Sequence, residues 1–467
     1  MIKRLFGFRS HSNRHTLKRI SSITLALAMA IAIFLSYGTH TFAAEESTFY
    51  VCFPLYLESG IYVFPVKYTL PETSEPIRAA LEALIRGIPD SDVLYSMFPT
   101  DAKVLSVSVE DDLCTVDFSE EIMHMSVGSG GELAAIEAIV HTVCGFPGIN
   151  RVQILIAGQP AESLAGHVDI SHPLTRNYDR MFVPLEDVTQ HWSGGYVGAL
   201  QILDIVNGYE DMTFRPEKTV SRAEFVKMAV ESCGAQSAPD QDIPFDDVSG
   251  HWVVPYLKDA LGSGIVDPAI YGNNFRPDET ITREEMALIL VRAQDIYLAQ
   301  RNQSPPPPCD ITFEDSDSIG EAFVEAVREA ASRKLLQGYP GGTFEPKSGL
   351  KRGEAATAIA RLRGIRGNSG VVIMSPENDA VLGDEPLYIL GLATAFEANV
   401  NLDVLAEDQS QIIADFATST NGVGWGAFGY ALSAHQLGGY TPTVIRVYLV
   451  SAKDGSLYSI VNIPVSR

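Results

Sequence analysis

The sequence predicts a multidomain chain in three parts: an α+β domain, a set of all-α helical repeats, and an all-β sandwich. Three observations predict it. At 467 residues the chain exceeds one hydrophobic core, since a domain usually takes roughly 100–200 residues. A group of short motifs recurs three times between Phe182 and Glu354. From Val371 onward only short strand-like runs separated by turn residues remain.

The first 43 residues differ from the rest. Lys3, Arg4, Arg9, Arg14, Lys18 and Arg19 precede an apolar run from Ile23 to Leu35, and Thr41-Phe42-Ala43-Ala44 offers small residues for cleavage. This order predicts a secretory signal peptide over 1–43. The alternative is an uncleaved N-terminal membrane anchor, with the chain facing outside. Elsewhere no apolar run approaches the roughly 20 residues of a spanning helix. The 34 Lys and Arg against 58 Asp and Glu leave a formal charge of −24, which argues against a nucleic-acid partner. Five cysteines without a C-x-x-C pair exclude a disulfide framework and a thiolate zinc site. Cys114 and Cys144 are read as buried thiols, with a bridge after export as the alternative.

Residues 44–180 read as the α+β domain. Thr48 to Leu57 and Ile61 to Tyr68 form a strand pair, and Ile77 to Arg86 a helix ended by Gly87. Val104 to Val109 and Cys114 to Phe118 alternate in polarity across Asp111-Asp112, a second hairpin. Ser129-x-x-Glu132 is expected to box-cap a helix reaching Cys144, and Arg151 to Ile156 closes the sheet.

The repeats occupy 181–235, 243–300 and 310–365. The first carries Asp187-Val188, His191-Trp192, Asn207-Gly208-Tyr209, Thr213-Phe214-Arg215-Pro216 and Ser221-Arg222-Ala223-Glu224. The second carries Phe245-Asp246-Asp247-Val248, His251-Trp252, Phe275-Arg276-Pro277 and Thr282-Arg283-Glu284-Glu285. The third carries Phe313-Glu314-Asp315, Gly338-Tyr339, Thr343-Phe344-Glu345-Pro346 and Lys351-Arg352-Gly353-Glu354. Each unit reads as helix, loop, helix, and Ser221-x-x-Glu224 and Thr282-x-x-Glu285 are capping boxes. Helices this short cannot bury an apolar face alone, so the units must pack on one another. Pro305 to Pro308 is a stiff spacer before the third unit. Residues 370–467 complete the chain as the sandwich.

These motifs, in this order, resemble S-layer homology (SLH) modules, which come in threes as a three-bladed prism. The resemblance implies non-covalent attachment of an exported protein to a secondary cell-wall polysaccharide, often one bearing a pyruvate ketal. Upstream, Pro65-Val66, Ala79 to Gly87, Val116-Asp117-Phe118-Ser119 and Val152-x-Ile154-x-Ile156-x-Gly158 resemble the GerMN domain of sporulation and spore-germination proteins. Downstream, Ile373-x-Ser375-Pro376, Gly391-x-Ala393 and Asp454-Gly455-Ser456 resemble the immunoglobulin-like domain that accompanies GerMN in spore-forming bacteria.

Arg222, Arg283 and Arg352 each fall at the first position of a helix, where the dipole disfavours a cation by a few tenths to about one kcal/mol. Helix propensity therefore does not explain their repetition. Open N–H groups and a guanidinium together suit a carboxylate, such as that of a pyruvylated sugar, while Trp192 and Trp252 suit the apolar face of a sugar ring. The competing reading is that these residues pin the modules together. The third module departs from the pattern, with Ala322 at the Trp position, Lys334 for the usual Gly and Lys351 for the capping hydroxyl.

No catalytic, cofactor or metal constellation stands out. Gly128-Ser129-Gly130-Gly131 lacks the lysine of a phosphate loop, and the calcium-like run from Asp315 has Ala326 where a bidentate acid belongs. His167 and His172 make a weak metal pair, and Asp117 reads as a turn acid. The reading is a non-enzymatic wall-anchored envelope protein, secreted to the cell wall or S-layer of a Gram-positive-type spore former. Its partners would be the polysaccharide and other envelope or sporulation proteins, with oligomerisation left open. The alternatives are a wall-attached peptidoglycan or glycan hydrolase and a structural S-layer subunit.

Overall fold

A computed structural model describes residues 46–57, 59–89, 91, 93–238, 241–307, 309–377 and 380–466; the segment predicted as a signal lies outside them. In the upstream part, β1 (Glu46–Leu57) and β2 (Gly60–Pro71) are neighbours in one sheet. Helix α1 (Pro76–Arg86) starts with proline, whose missing N–H costs nothing there, and buries Ala80, Leu81, Ala83, Leu84 and Ile85. Gly87 ends it at φ 73°, where a Cβ would lie 2.8 Å from Ser96. Strands β3 (Val104–Glu110) and β4 (Leu113–Phe118) pair antiparallel, β5 (Arg151–Ile156) joins β4 in parallel, and the short β6 (Gln159–Pro160) and β7 (Leu174–Thr175) pair antiparallel with β5. A parallel pair needs a crossover, supplied by α2 (Ser129–Val143).

The start of α2 differs from expectation. Gly128 occupies the cap position, and Ser129 lies inside the helix and caps nothing. Glu132 is fully buried and turns away from the helix start. Its carboxylate accepts the N–H groups of Leu164, Ala165 and His167 at 2.8, 2.6 and 2.8 Å, tying down the loop after β5. An acid this buried needs such donors, and three unbonded amides of the loop supply more than one serine N–H could.

The repeats supply α3 (Gly194–Ile202) and α4 (Arg222–Cys233), then α5 (Val254–Gly262), the short α6 (Pro268–Tyr271) and α7 (Arg283–Gln300), then α8 (Val324–Ser332) and α9 (Arg352–Leu362). Both predicted capping boxes are present. At Lys351 half of a box survives: Glu354 still accepts the Lys351 N–H at 2.9 Å. The region is not purely helical. Isolated β-bridges Thr219–Lys351, Ser221–Thr280 and Thr282–Gly349 cross between modules, because the residues leading into each second helix are extended and must bond to something.

Downstream, β8 (Arg366–Gly367), β9 (Val371–Ser375), β11 (Leu387–Ala393) and β14 (Gly426–Leu432) form one sheet. It faces a second of β10 (Ala380–Val381), β12 (Asn399–Leu405), β13 (Gln411–Thr418), β15 (Val444–Val450) and β16 (Leu457–Ser466). Val371, Ile389, Tyr430, Ile445 and Ile463 fill the space between. The first sheet does not stop at the sandwich. Strand β2 pairs in parallel with β14, Lys67 opposite Tyr430 and Tyr68 opposite Ala431, so the sheet runs β1-β2-β14-β11-β9-β8. Gly429 permits the approach, since a Cβ there would sit 2.7 Å from the Val66 side chain. Lys67, 6% exposed, donates to Asp415 at 2.5 Å and to the Phe416 carbonyl at 2.8 Å across this seam. The repeats join the same body: one apolar core holds Phe64 and Ile154 together with Phe225, Leu290 and Trp425.

Candidate functional site

Each module is built around one aspartate. The Asp187 carboxylate accepts the N–H groups of Phe214 and Arg215 at 2.9 and 2.7 Å. Asp247 holds Phe275 and Arg276 at 2.8 and 2.7 Å, and Asp315 holds Phe344 and Glu345 at 2.8 and 2.7 Å. Arg215, Arg276 and Glu345 are all left-handed, at φ 56, 55 and 58°. Two successive N–H groups turned to one side make an anion cradle, and the carboxylate offsets a backbone conformation that costs about 1–3 kcal/mol. The aspartate, which follows Leu185-x, Phe245-x or Phe313-x, and the Phe-x-Pro motif are therefore two halves of one lock. Asp315 is committed to that lock rather than opening a calcium loop.

The locked turn of each module receives the arginine of its neighbour. Arg222, Arg283 and Arg352 are only 6, 4 and 5% exposed. Arg222 of module 1 donates to the Phe275 and Arg276 carbonyls of module 2 at 2.8 and 2.7 Å, and its Nε to Glu285 at 3.0 Å. Arg283 of module 2 reaches the Phe344 and Gln337 carbonyls of module 3 at 2.7 and 2.8 Å. Arg352 of module 3 returns to the Phe214 carbonyl of module 1 at 3.0 Å and to Glu224 at 3.1 Å. Each guanidinium also lies against an aromatic pair: Tyr271 and Phe275, Tyr339 and Phe344, Tyr209 and Phe214. The three modules thus close on themselves, one into two, two into three, three into one. Burial pushes the Glu224 carboxyl up, but the Ser221 N–H and Arg352 outweigh it and leave its pKa lowered.

The N–H groups expected to stand open at these helix starts are engaged. Arg222 and Ala223 donate to Glu279 and Pro277, both at 2.9 Å. Arg283 and Glu284 donate to Ser348 and Pro346 at 3.0 and 3.1 Å, and Arg352 and Gly353 to Lys218 and Pro216 at 2.8 and 2.9 Å. The physical reason is the closure itself, which seats every second helix on a neighbour's turn.

The tryptophans stand outside. Trp192 and Trp252 are 44 and 50% exposed. Each rests beside the preceding histidine, with ring centroids 5.5 and 5.3 Å apart, and each histidine meets an acid: His191 with Glu217 at 2.9 Å, His251 with Asp278 at 3.3 Å. At the boundary of modules 3 and 1, Lys351 also pairs with Glu217; hydrogen bonds from Lys351 and His191 hold that carboxyl below its ordinary range. At the boundary of modules 1 and 2, Trp252 stands edge-on to Tyr256, over which Lys227 Nζ lies at 5.4 Å. The boundary of modules 2 and 3 is filled differently. Ala322 replaces the indole, and Glu284, 4% exposed, accepts the Gly320 N–H at 2.9 Å and pairs with Lys347.

Sequence reasoning missed the aspartate locks and the third tryptophan, Trp425, and took Glu132 for a capping acid, whereas it holds the loop at 164–167. The aspartates recur at one repeat position, a signal that could have found them. Asp117 accepts the Gly158 N–H at 2.8 Å, holding the turn after β5. Among the described residues no three His, Cys, Asp or Glu side chains converge as a metal site, and no helix is long and apolar enough to cross a membrane.

Comparison with known proteins divides the chain the same way. A family model described as sporulation and spore germination matches 54–162, and one described as the immunoglobulin-like domain of bacterial spore germination matches 370–456. The S-layer homology model matches 184–226, 244–287 and 312–356. An amylopullulanase of Thermoanaerobacterium thermosulfurigenes is 31% identical over 191 residues, 41% of this chain and 10% of that protein. An endoglucanase of Bacillus sp. (strain KSM-635) is 34% identical over 180 residues, 38% of this chain and 18% of that protein. The chain therefore spans less than a fifth of either relative, and the matches lie in its S-layer homology region. The tandem GerMN domains of the sporulation protein GerM from Bacillus subtilis align at 21% identity and a TM-score of 0.25, covering 30% of this chain and 49% of that one. The chain carries a domain of the sporulation and spore germination (GerMN) type, three S-layer homology modules and the immunoglobulin-like domain of bacterial spore germination, in that order.

Proposed function

We propose that this chain is a non-catalytic anchor that holds to a secondary cell-wall polysaccharide, a pyruvylated one by preference, in the envelope of a spore-forming bacterium. One observation carries the reading: two of three module boundaries present a half-exposed indole beside a His–acid pair, on a scaffold closed by buried arginines. An exposed indole on a rigid support suits the apolar face of a sugar ring. Trp192 and Trp252 make the direct contact in this proposal. Arg222 and Arg352 fix the walls of those two sites, with Arg283 closing the third boundary, where Glu284 and Lys347 stand instead. Asp117 and Glu132, the acids a hydrolase reading would use, are both committed to backbone N–H groups, which favours the non-catalytic role. The GerMN and immunoglobulin-like domains present surfaces to other envelope components. Sedimentation of the mature chain with purified sacculi, before and after mild acid removal of the secondary polymer, tests this. Pelleting only with intact sacculi supports it; equal pelleting with both, or with neither, overturns it.

A further inference from the structure

The immunoglobulin-like domain reaches into the first module at the segment that carries Trp192. Trp425, on the loop before β14, is 1% exposed. Its indole N–H donates to the His191 carbonyl at 2.9 Å, one peptide away from Trp192. Its own backbone N–H donates to the Thr189 carbonyl at 3.0 Å, and Gln190 Nε2 returns a bond to the Val423 carbonyl at 3.0 Å. Thr189, Gln190 and His191 are thus each bonded to the loop 423–425. The indole ring lies flat on the start of α3, where a Cβ at Gly194 or Gly195 would come within 2.4 or 2.3 Å of it. Glycine at 195 is what admits the ring, while at 194 a Cβ would also meet the Val188 carbonyl at 2.0 Å. Module 2 has Val253 and Val254 where module 1 has Ser193 and Gly194, so an indole cannot lie there in the same way.

We infer that Trp425 is a positioning residue of the module-1 site: the immunoglobulin-like domain is a working part of that site, and the site next to Trp252 is independent of it. This rests on the wall-binding reading. The His191 carbonyl sits between the indole of Trp425 and the helix start, where it also accepts the Gly194 N–H at 2.9 Å. A carbonyl held by two donors fixes the peptide plane that leads into Trp192, and with it the direction in which the exposed ring points. Removing one donor frees that plane on the module-1 side only.

The experiment is binding of the mature chain to purified sacculi with intact secondary polymer, comparing Trp425→Phe, Trp192→Ala, Trp252→Ala and the pairwise combinations. Trp425→Phe keeps a ring on Gly194 and Gly195 but removes the indole N–H. It is expected to weaken binding roughly tenfold, the scale of losing an aromatic anchor. It should add nothing to Trp192→Ala and add fully to Trp252→Ala. Amide hydrogen exchange gives a second readout that a general loss of folding would not mimic. Exchange at His191 and Gly194 should quicken in Trp425→Phe while that at His251 and Val254 stays as in the unaltered chain. Binding and exchange like the unaltered chain's, or full additivity with Trp192→Ala, would overturn the inference alone. Failure of the unaltered chain to bind would overturn the wall reading and this inference with it.

Discussion

Nε of Arg222 lies 3.0 Å from Oε1 of Glu285, across the boundary between the first and second modules. The glutamate is at once the capping-box acid of its own helix and the counter-ion of its neighbour's arginine. A repeat position that looks like a ligand-facing cation is thereby bound into the architecture. Arg222→Ala leaves the buried Glu285 carboxylate without its counter-ion and the Phe275 carbonyl without the donor it has here, a loss of about 3–5 kcal/mol. Arg222→Lys is expected to recover only part of this, because an ammonium cannot bond the carboxylate and the turn with one planar fork. Denaturant unfolding of the three chains checks both expectations.

The seam between β2 and β14 rests on Lys67 and Asp415. Lys67→Ala takes the counter-ion from Asp415, which still accepts from the Tyr430 hydroxyl and the Phe416 N–H, and is expected to cost about 1–3 kcal/mol, whereas Lys67→Met with Asp415→Leu should restore most of it by replacing the ion pair with apolar contact. Tyr50 and Tyr68 also bond across the seam, to Thr418 at 2.9 Å and to Tyr388 at 3.2 Å. The two domains should therefore melt together in the unaltered chain and separate into two transitions in Lys67→Ala, as scanning calorimetry would show.

His141 on α2 is 2% exposed, and burial lowers its pKa from 6.5 to about 4. The unfolded chain takes up this proton near pH 6.5 and the folded chain only near pH 4, so stability is lost as pH falls through that window. The expected loss by pH 5 is of order 2 kcal/mol. Glu137, 3.6 Å away, has its pKa raised by burial, which works in the opposite direction and trims the slope. His141→Gln should flatten the dependence of the unfolding midpoint between pH 7 and 5.

Cys52, Cys114, Cys144 and Cys233 are buried free thiols and Cys309 is exposed. Burial pushes the Cys52 thiol up to about 12 and those of Cys114 and Cys233 to about 11. A thiol-specific reagent should label the native chain at Cys309 alone, and Cys309→Ser should abolish labelling until denaturant is added. A disulfide between Cys114 and Cys144 in the native chain would contradict this.

Much of the fold is legible in the residues because the signals are local. Gly87 ends α1, the alternating runs at Val104 and Cys114 make a hairpin, and Ser221 and Thr282 cap their helices. What escapes is long-range. Nothing near Lys67 indicates Asp415 as its partner, nearly 350 positions away, and nothing near His191 indicates Trp425. Glu132 misleads for a related reason: its spacing from Ser129 imitates a capping box, but the deeper requirement is to satisfy a buried acid. The arginines are half legible. Their repetition marks them as meaningful, yet the chain closure that buries them depends on how three units meet.

The most direct test of the wall-binding account is the affinity of Trp192→Ala/Trp252→Ala for polymer-bearing sacculi, measured beside its thermal unfolding. Both side chains are half-exposed, so their removal should leave the melting temperature close to that of the unaltered chain. Attachment through the indoles requires binding to fall to the level seen on polymer-stripped sacculi. Undiminished binding by a chain lacking both indoles would contradict it.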